Sequence, residues 1–283
     1  MSAMILEGPQ VAEAIGVSVI QRVAALKEQG VTPCLGILRV GERPDDLSYE
    51  RGACKRAELT GVAVRNLVFD EDVTTERLVE VVESVNGDDS IHGLLMLRPL
   101  PAHIDEERVC NTLTPYKDVD ACNEQSLGAI FTGSGVGFAP CTAQACIEIL
   151  DHYSIGIAGK RAVIIGRSLV IGKPLSMLLL ERNATVTIAH SRTVGLEVLA
   201  READIVVACA GRAAMVGADH VAPGQTLIDV GINVADDGSL VGDIAFDEVV
   251  DVVDAVTPVP RGVGSVTTSV LCEHVVRAAE TMM

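Results

Sequence analysis

The sequence predicts a two-domain α/β fold built on parallel sheets, and three observations predict it. Apolar runs of strand length alternate with segments of helical spacing along nearly the whole chain. Trp is absent and aromatic residues are 2%, so the cores must be filled by Val, Ile, Leu and Ala, the usual filling of parallel sheets flanked by helices. A glycine turn, Gly166 to Gly172, lies between the run Ala162-Val163-Ile164-Ile165 and the apolar segment Leu175 to Leu180, which reads as strand, turn and helix. A length of 283 residues with 48% hydrophobic content accommodates two domains, each with its own core.

Residues Gln10 to Gln29 carry helical apolar spacing, and Pro33 to Val40 reads as a buried strand. A helix is expected from Leu47 to Thr60, closed by Gly61. Strand Ala63 to Val68, helix Thr74 to Asn86 and strand Gly93 to Leu97 follow, the last ended by Pro99 and Pro101. A helix at Asp105 to Leu113 and a turn at Pro115-Tyr116-Lys117-Asp118 complete this first α/β unit. Thr142 to Tyr153 is expected as a connecting helix, and the strands Arg161–Ile165, Ala184–Ala189, Ile205–Ala208, Thr226–Val230 and Asp254–Val256 then form a second, doubly wound sheet. The last helix, Thr267 to Thr281, follows the loop from Thr257 to Gly264. Two such sheets leave a cleft, the usual place for a substrate to meet a cofactor.

A net charge of -17 opposes binding to nucleic acid or to an anionic membrane. No apolar stretch has bilayer length, and the N-terminus lacks the basic-then-apolar pattern of a signal peptide. The eight cysteines form no CxxC pair and no His/Cys group at zinc spacing. They read as reduced, mostly buried residues, and a cytoplasmic protein without disulfides or a structural metal is expected.

The glycine turn points to a nucleotide, because backbone N–H groups and the positive end of a helix dipole face the place where a pyrophosphate would lie. The pattern is not GxGxxG, since only Gly166 and Gly172 are present with Arg167 between them. The end of the next strand is more telling. An Asp or Glu there would accept from free ribose hydroxyls, whereas this chain has His190-Ser191-Arg192-Thr193. Donors and a cation suit a 2′-phosphate, which favours NADP over NAD. The competing reading treats Arg167 and Arg192 as solvated loop charges and Gly166 as the closure of a turn.

Several segments together resemble the bifunctional methylenetetrahydrofolate dehydrogenase/cyclohydrolases. They are Val40-Gly41-Glu42 with Ser48-Tyr49, Lys117-Asp118-Val119-Asp120, Pro140-Cys141-Thr142, the Gly166-Arg167-Ser168 turn, His190-Ser191, Asp229-Val230-Gly231-Ile232-Asn233, Val241-Gly242-Asp243 and Thr257-Pro258-Val259-Pro260. All stand in family order. The resemblance implies a folate-binding catalytic domain at 1–143 and 266–283, with the C-terminal helix returning to it, and an NADP-binding Rossmann-like domain at 144–265. It also implies a homodimer through the nucleotide domain, with a tetrahydrofolate derivative bound beside NADP. The positions matching family cofactor contacts are Gly166, Arg167, Ser168, Gly172, His190, Ser191, Arg192, Gly231 and Ile232, with Arg167 and Ser191 at the 2′-phosphate. Tyr49 would pack on the folate and Asp120 would bond its pterin ring, with Pro260 and Gly262 as further substrate contacts. Without the resemblance, Tyr49 reads as a half-buried helix aromatic and Asp120 as a turn former.

The chain departs from this family at the catalytic positions. The lysine expected four residues after the tyrosine is Ala53, and Lys55 lies about 200° around the helix from it. The glutamine that partners that lysine is Leu97, with Arg98 next to it facing the other side of an extended strand. Replacing both partners of a buried polar contact is nearly neutral, whereas losing one strands the other, so the two changes are coherent. Ala121 and Arg261 stand for glycines and Ser265 for a proline; the cation at 261 would either clash with the usual ligand or bind an acidic tail.

Hydride transfer needs orientation and a dry cleft, whereas opening the methenyl ring needs a base that assists water. The expected activity is therefore NADP-dependent methylenetetrahydrofolate dehydrogenase with cyclohydrolase activity lost or very low. The alternatives are an NADP-dependent reductase of another cyclic imine or iminium, and a catalytically silent member that binds folate or NADP. His190 is expected to form part of the cofactor wall, and Cys141, with no histidine near it in sequence, to be an inert thiol.

Overall fold

The computed structural model describes residues 2–235 and 237–283. The first half of the chain runs β1 (Met4–Ile5), α1 (Gly8–Glu28), β2 (Cys34–Val40), α2 (Pro44–Thr60), β3 (Ala63–Phe69), α3 (Thr75–Asn86), β4 (Gly93–Met96), α4 (Glu106–Thr112) and α5 (Glu124–Thr132). The second half runs α6 (Cys141–His152), β5 (Arg161–Ile165), α7 (Gly172–Glu181), β6 (Thr185–Ala189), α8 (Leu196–Arg201), β7 (Ile205–Ala208), β8 (Thr226–Asp229), β9 (Asn233–Val234), β10 (Leu240–Val241), α9 (Phe246–Val249), β11 (Ala255–Val256) and α10 (Thr267–Thr281). The alternation read from the sequence is present. Two compact units result: Glu13–Cys141 with Thr268–Met283, and Thr142–Thr267 with the residues up to Ala12.

In the first of these, β2 is central in a parallel sheet of order β3-β2-β4. All seven residues of β2 are buried, whereas β3, the outer strand, is partly exposed. A core of Leu38, Val40, Leu78, Val82, Leu94 and Met96 joins this sheet to α3 and α4. Local chemistry sets the helix ends. Pro44 starts α2, and Gly61 closes it at φ 78, donating to the last carbonyls. Thr74 and Asp105 cap α3 and α4 by accepting from Arg77 and Arg108 N–H groups. Helix α5 has no counterpart in the sequence reading. Its nine residues include Gly128, which weakens helical propensity, and its start depends on Asn123, which accepts from Gln125 N and donates to Leu113 O at 2.7 Å.

The other unit carries six strands in the order β1-β11-β8-β7-β5-β6, paired in parallel throughout. The register aligns Ile165 with Ala189 and Ala208, and Ala208 with Asp229, so the loops after four strands leave from one edge. Residues 1–12 were expected with the catalytic domain. The described part of that segment instead belongs here, because β1 pairs with β11 and so completes the sheet. A two-residue strand carries no periodicity, which is why the sequence concealed it.

Two aspartates lock the carboxyl edge of this sheet. Asp229 is 3% exposed and accepts from the N–H groups of Gly231, Asp243 and Ile244 at 2.9 to 3.0 Å. Burial pushes its carboxyl up to about 6, against those same three donors. Asp243, fully buried, accepts from the N–H groups of Ala210, Gly211 and Arg212 at 2.6 to 2.8 Å and from Asn233 Nδ2 at 3.0 Å. The glycines flanking them are required by space. A Cβ on Gly242 would lie 1.8 Å from Asp229 Oδ2, and one on Gly231 would lie 2.2 Å from Asp243 Oδ1.

In the three-stranded unit, α10 brings His274 into the core at 3% exposure. Its Nδ1 lies 2.9 Å from Val119 O, which places the proton on that nitrogen, and its ring packs 5.0 Å from Phe138. Arg277 covers the other ring at 4.5 Å from the Phe138 centroid. Among the described residues no helix is long and apolar enough to cross a membrane, and no group of three or more potential metal ligands occurs.

Two outcomes follow from this packing. Gly242→Ala should destabilise the protein by at least about 2 kcal/mol, because the added Cβ overlaps a buried carboxylate; urea unfolding with tryptophan-free far-UV detection measures it, and an unchanged midpoint would contradict the lock. Burial lowers the His274 imidazole from 6.5 to about 3. A depressed histidine contributes stability that is present above pH 6.5 and is lost as pH falls toward 3, at about 1.4 kcal/mol per pH unit. The wild type should therefore lose stability relative to His274→Gln between pH 7 and pH 5, read as the difference in their denaturation midpoints.

Candidate functional site

The loops at the carboxyl edge of the six-stranded sheet enclose a cavity of about 520 Å³. Gly166, Arg167 and Ser168 from the turn after β5 line it, with His190 and Ser191 from the end of β6. Gly166 sits at φ 144, and a Cβ there would lie 2.4 Å from Cys209 O, so only glycine lets the turn approach the neighbouring strand end. Gly172 serves the same purpose from the helix side: a Cβ on it would lie 2.3 Å from Gly166 O. Ser168 Oγ accepts from Ile171 N at 3.1 Å and shapes the entry to α7.

The segment after β6 is held by its own side chains. His190 N donates to Thr193 Oγ1 at 2.8 Å, and His190 Nδ1 accepts from Arg192 N at 3.1 Å, which leaves Nε2 with the proton. His190 is thus a wall residue with a fixed ring, while Ser191 and Arg192 are exposed. An anionic ligand in this cavity meets Arg167, Arg212 and the Ser191 hydroxyl. The cavity also uses Thr193, Leu196, Glu197, Cys209, Met215 and His220, which the sequence reading did not select. The positions 209–212 were findable, because ligands in such sheets bind outside the carboxyl ends of strands.

The remaining predicted cofactor positions lie differently. Gly172, Arg192, Gly231 and Ile232 are not among the residues lining this cavity. Gly231 belongs to the aspartate lock, with its N–H on Asp229, and Ile232 is 65% exposed. Gly262 gives room for close backbone packing, since a Cβ on it would meet Pro258 O at 2.3 Å, and Pro260 follows a cis peptide bond. Arg261 pairs with Glu7 at 2.7 Å, so its charge already has a carboxylate partner. Both Arg261 at φ 78 and Ala121 at φ 52 keep left-handed backbone, the conformation that favours the glycine expected at each position.

In the three-stranded unit, Tyr49 is a half-buried residue of α2, and Ala53, one turn later, is fully buried. Leu97 is 7% exposed at the end of β4. Lys55 is exposed, and the buried Lys117 donates to Val85 O and Asp88 O at 2.8 Å, so neither amine substitutes for one at position 53. The charges nearby are structurally committed. Arg39 and Glu50 form a pair at 2.5 Å with side chains 9% and 12% exposed, and Arg98 lies 3.8 Å from Glu106. Asp118 accepts from Cys122 N and Asn123 N, and Asp120 accepts from Cys141 N at 2.7 Å. Burial pushes the Asp120 carboxyl up to about 6, opposed by the Cys141 N–H and thiol and by the Arg98 guanidinium. No histidine lies near Cys141 in sequence, but the fold brings His274 Nδ1 to 3.8 Å from Cys141 Sγ.

Comparison with known proteins places these features. Residues 6–120 match the catalytic domain of tetrahydrofolate dehydrogenase/cyclohydrolase, and residues 140–283 match its NAD(P)-binding domain. The bifunctional protein FolD of Carboxydothermus hydrogenoformans is 49% identical over 279 residues, covering 98% of this chain and 97% of that protein. The crystal structure of the Campylobacter jejuni FolD methylenetetrahydrofolate dehydrogenase/cyclohydrolase superposes with a TM-score of 0.97 at 33% identity over the whole of both chains. The Trypanosoma brucei enzyme, solved with NADP cofactor and an inhibitor, gives a TM-score of 0.94 at 33% identity over 99% of this chain and 98% of that one. Matched along both units and to relatives of equal length, the chain belongs to the tetrahydrofolate dehydrogenase/cyclohydrolase family.

Proposed function

We propose that this protein is an NADP-dependent 5,10-methylenetetrahydrofolate dehydrogenase that has lost, or nearly lost, the cyclohydrolase activity of its family. The observation that carries the reading is the pairing of a built anion-accepting nucleotide cavity with a fully buried alanine at the position of the family lysine. Bound in the cavity, NADP supplies the hydride acceptor. Arg167 and Ser191 hold its 2′-phosphate, His190 forms the wall, and the Gly166 turn gives the pyrophosphate room. Tyr49 packs on the folate and Asp120 accepts from its pterin ring. Loss of hydride from the methylene carbon leaves a cation that the folate nitrogens themselves stabilise, so the protein contributes orientation rather than a base.

Hydrolysis of the methenyl product is a different demand. Water must be assisted by a group of suitable pKa at the folate carbon. Ala53 and Leu97 offer no proton acceptor, Lys55 is an exposed residue, and the Lys117 amine is taken by Val85 O and Asp88 O. The family resemblance also supports a homodimer formed through the six-stranded unit, whose outer strand β6 carries the exposed Ile188.

With 5,10-methylenetetrahydrofolate and NADP, hydride transfer should proceed at a rate ordinary for the family while methenyl hydrolysis stays at the spontaneous rate. A stopped-flow hydrolysis rate matching relatives that carry the lysine would overturn the reading. Arg167→Ala should raise KM for NADP by roughly tenfold or more, the loss of one charge-assisted bond, and leave KM for NAD within about twofold. Equal effects on both cofactors would remove Arg167 from the 2′-phosphate.

A further inference from the structure

The motif Pro140-Cys141-Thr142 is not used by the chemistry described above, yet Cys141 lies at the centre of a buried cluster. It is fully buried, its N–H donates to Asp120 Oδ1 at 2.7 Å, and its Sγ lies 3.3 Å from Val119 O and 3.8 Å from His274 Nδ1. A Cys–His contact suggests a nucleophile, but two observations oppose that. The His274 Nδ1 proton is already engaged by Val119 O at 2.9 Å, so this nitrogen cannot take a proton from sulfur. Burial pushes the thiol well above its ordinary range and the imidazole down to about 3, which leaves both groups neutral.

What the cluster does touch is the peptide that presents Asp120. Val119 O takes both the thiol and the imidazole N–H, and its side chain fits against Gly93, where a Cβ would lie 2.4 Å from Val119 Cγ1. Asp118 is fixed on the other side of Val119 by Cys122 N and Asn123 N at 2.9 Å. We propose that Cys141 and His274 are positioning residues for the dehydrogenase: the Cys141 thiol and the His274 imidazole both donate to the Val119 carbonyl and so fix the peptide from which Asp120 projects toward the folate ring, while the Cys141 N–H holds that carboxylate. The proposal rests on the reading of Asp120 as a folate contact.

Asp120 is faced by three groups that set its charge. Arg98 at the end of β4 and the Cys141 N–H favour the carboxylate, and Asp118 opposes it. Arg98 is itself faced by Glu106, Cys110 and Cys122. Removing the thiol leaves the Cys141 N–H in place but takes one of two donors from the Val119 carbonyl, so the peptide that presents Asp120 is held less firmly and folate binding weakens.

The test is KM for 5,10-methylenetetrahydrofolate near neutral pH, with NADP saturating. Cys141→Ala should raise it by roughly threefold or more, with kcat within about twofold. Cys141→Ser, which restores a donor to Val119 O, should return KM to the wild-type value, and KM for NADP should stay within about twofold in both variants. His274→Phe keeps a ring beside Phe138, removes the donor to Val119 and should raise the same KM, so the proposal survives a poorly folding Cys141→Ala. Asp120→Ala separates the two layers of the reading. If it leaves KM for the folate unchanged, Asp120 is not a folate contact. If it raises that KM while Cys141→Ala and His274→Phe leave it unmoved, the positioning proposal is overturned.

Discussion

Every parallel strand in this protein must hand its chain to a loop at the same edge, and the N–H groups of those loops need partners away from water. Buried carboxylates provide them. Asp229 and Asp243 together accept from six loop N–H groups and one side-chain amide in the six-stranded unit, and Asp118 and Asp120 accept from three in the other. An ionised acceptor bonded to several fixed donors is stronger than the same number of neutral bonds. The cost is desolvation, visible in Asp229 and Asp120, whose carboxyls burial raises to about 6. The same arrangement anchors a functional loop: Ala210 and Arg212, which line the nucleotide cavity, donate their N–H groups to Asp243.

The two units commit their polar groups differently. The nucleotide cavity has close-packed glycines, cations on exposed loops and a histidine ring fixed by its own loop. In the three-stranded unit Ala53 and Leu97 are buried apolar residues. The charges there are occupied: Arg39 with Glu50, Lys117 with two carbonyls, Asp118 with two amides.

Much of this was legible in the residues. The capping residues Thr74 and Asp105, the closing Gly61 and the strand lengths are local chemistry, so the elements appear where their sequences place them. Gly166 could be read as a site of close approach, although its partner, Cys209, could not. The close approach of Gly231 to Asp243 could not be read, because Asp243 is twelve residues away and is brought near through the β9–β10 hairpin. Helix α5 and strand β1 escaped because one is interrupted by glycine and the other is too short to show a period.

The sequence by itself determined the alternation of strands and helices, the glycine turn with its cationic neighbours and the family register. All of these depend on residue type and on spacings of a few residues. Only the tertiary structure decided that the N-terminal segment closes the six-stranded sheet, that Lys117 is spent on the carbonyls of Val85 and Asp88, and that Cys141 meets His274 across 133 positions. Those contacts join elements far apart in the chain, and packing around the parallel sheets, rather than any local preference, brings them together.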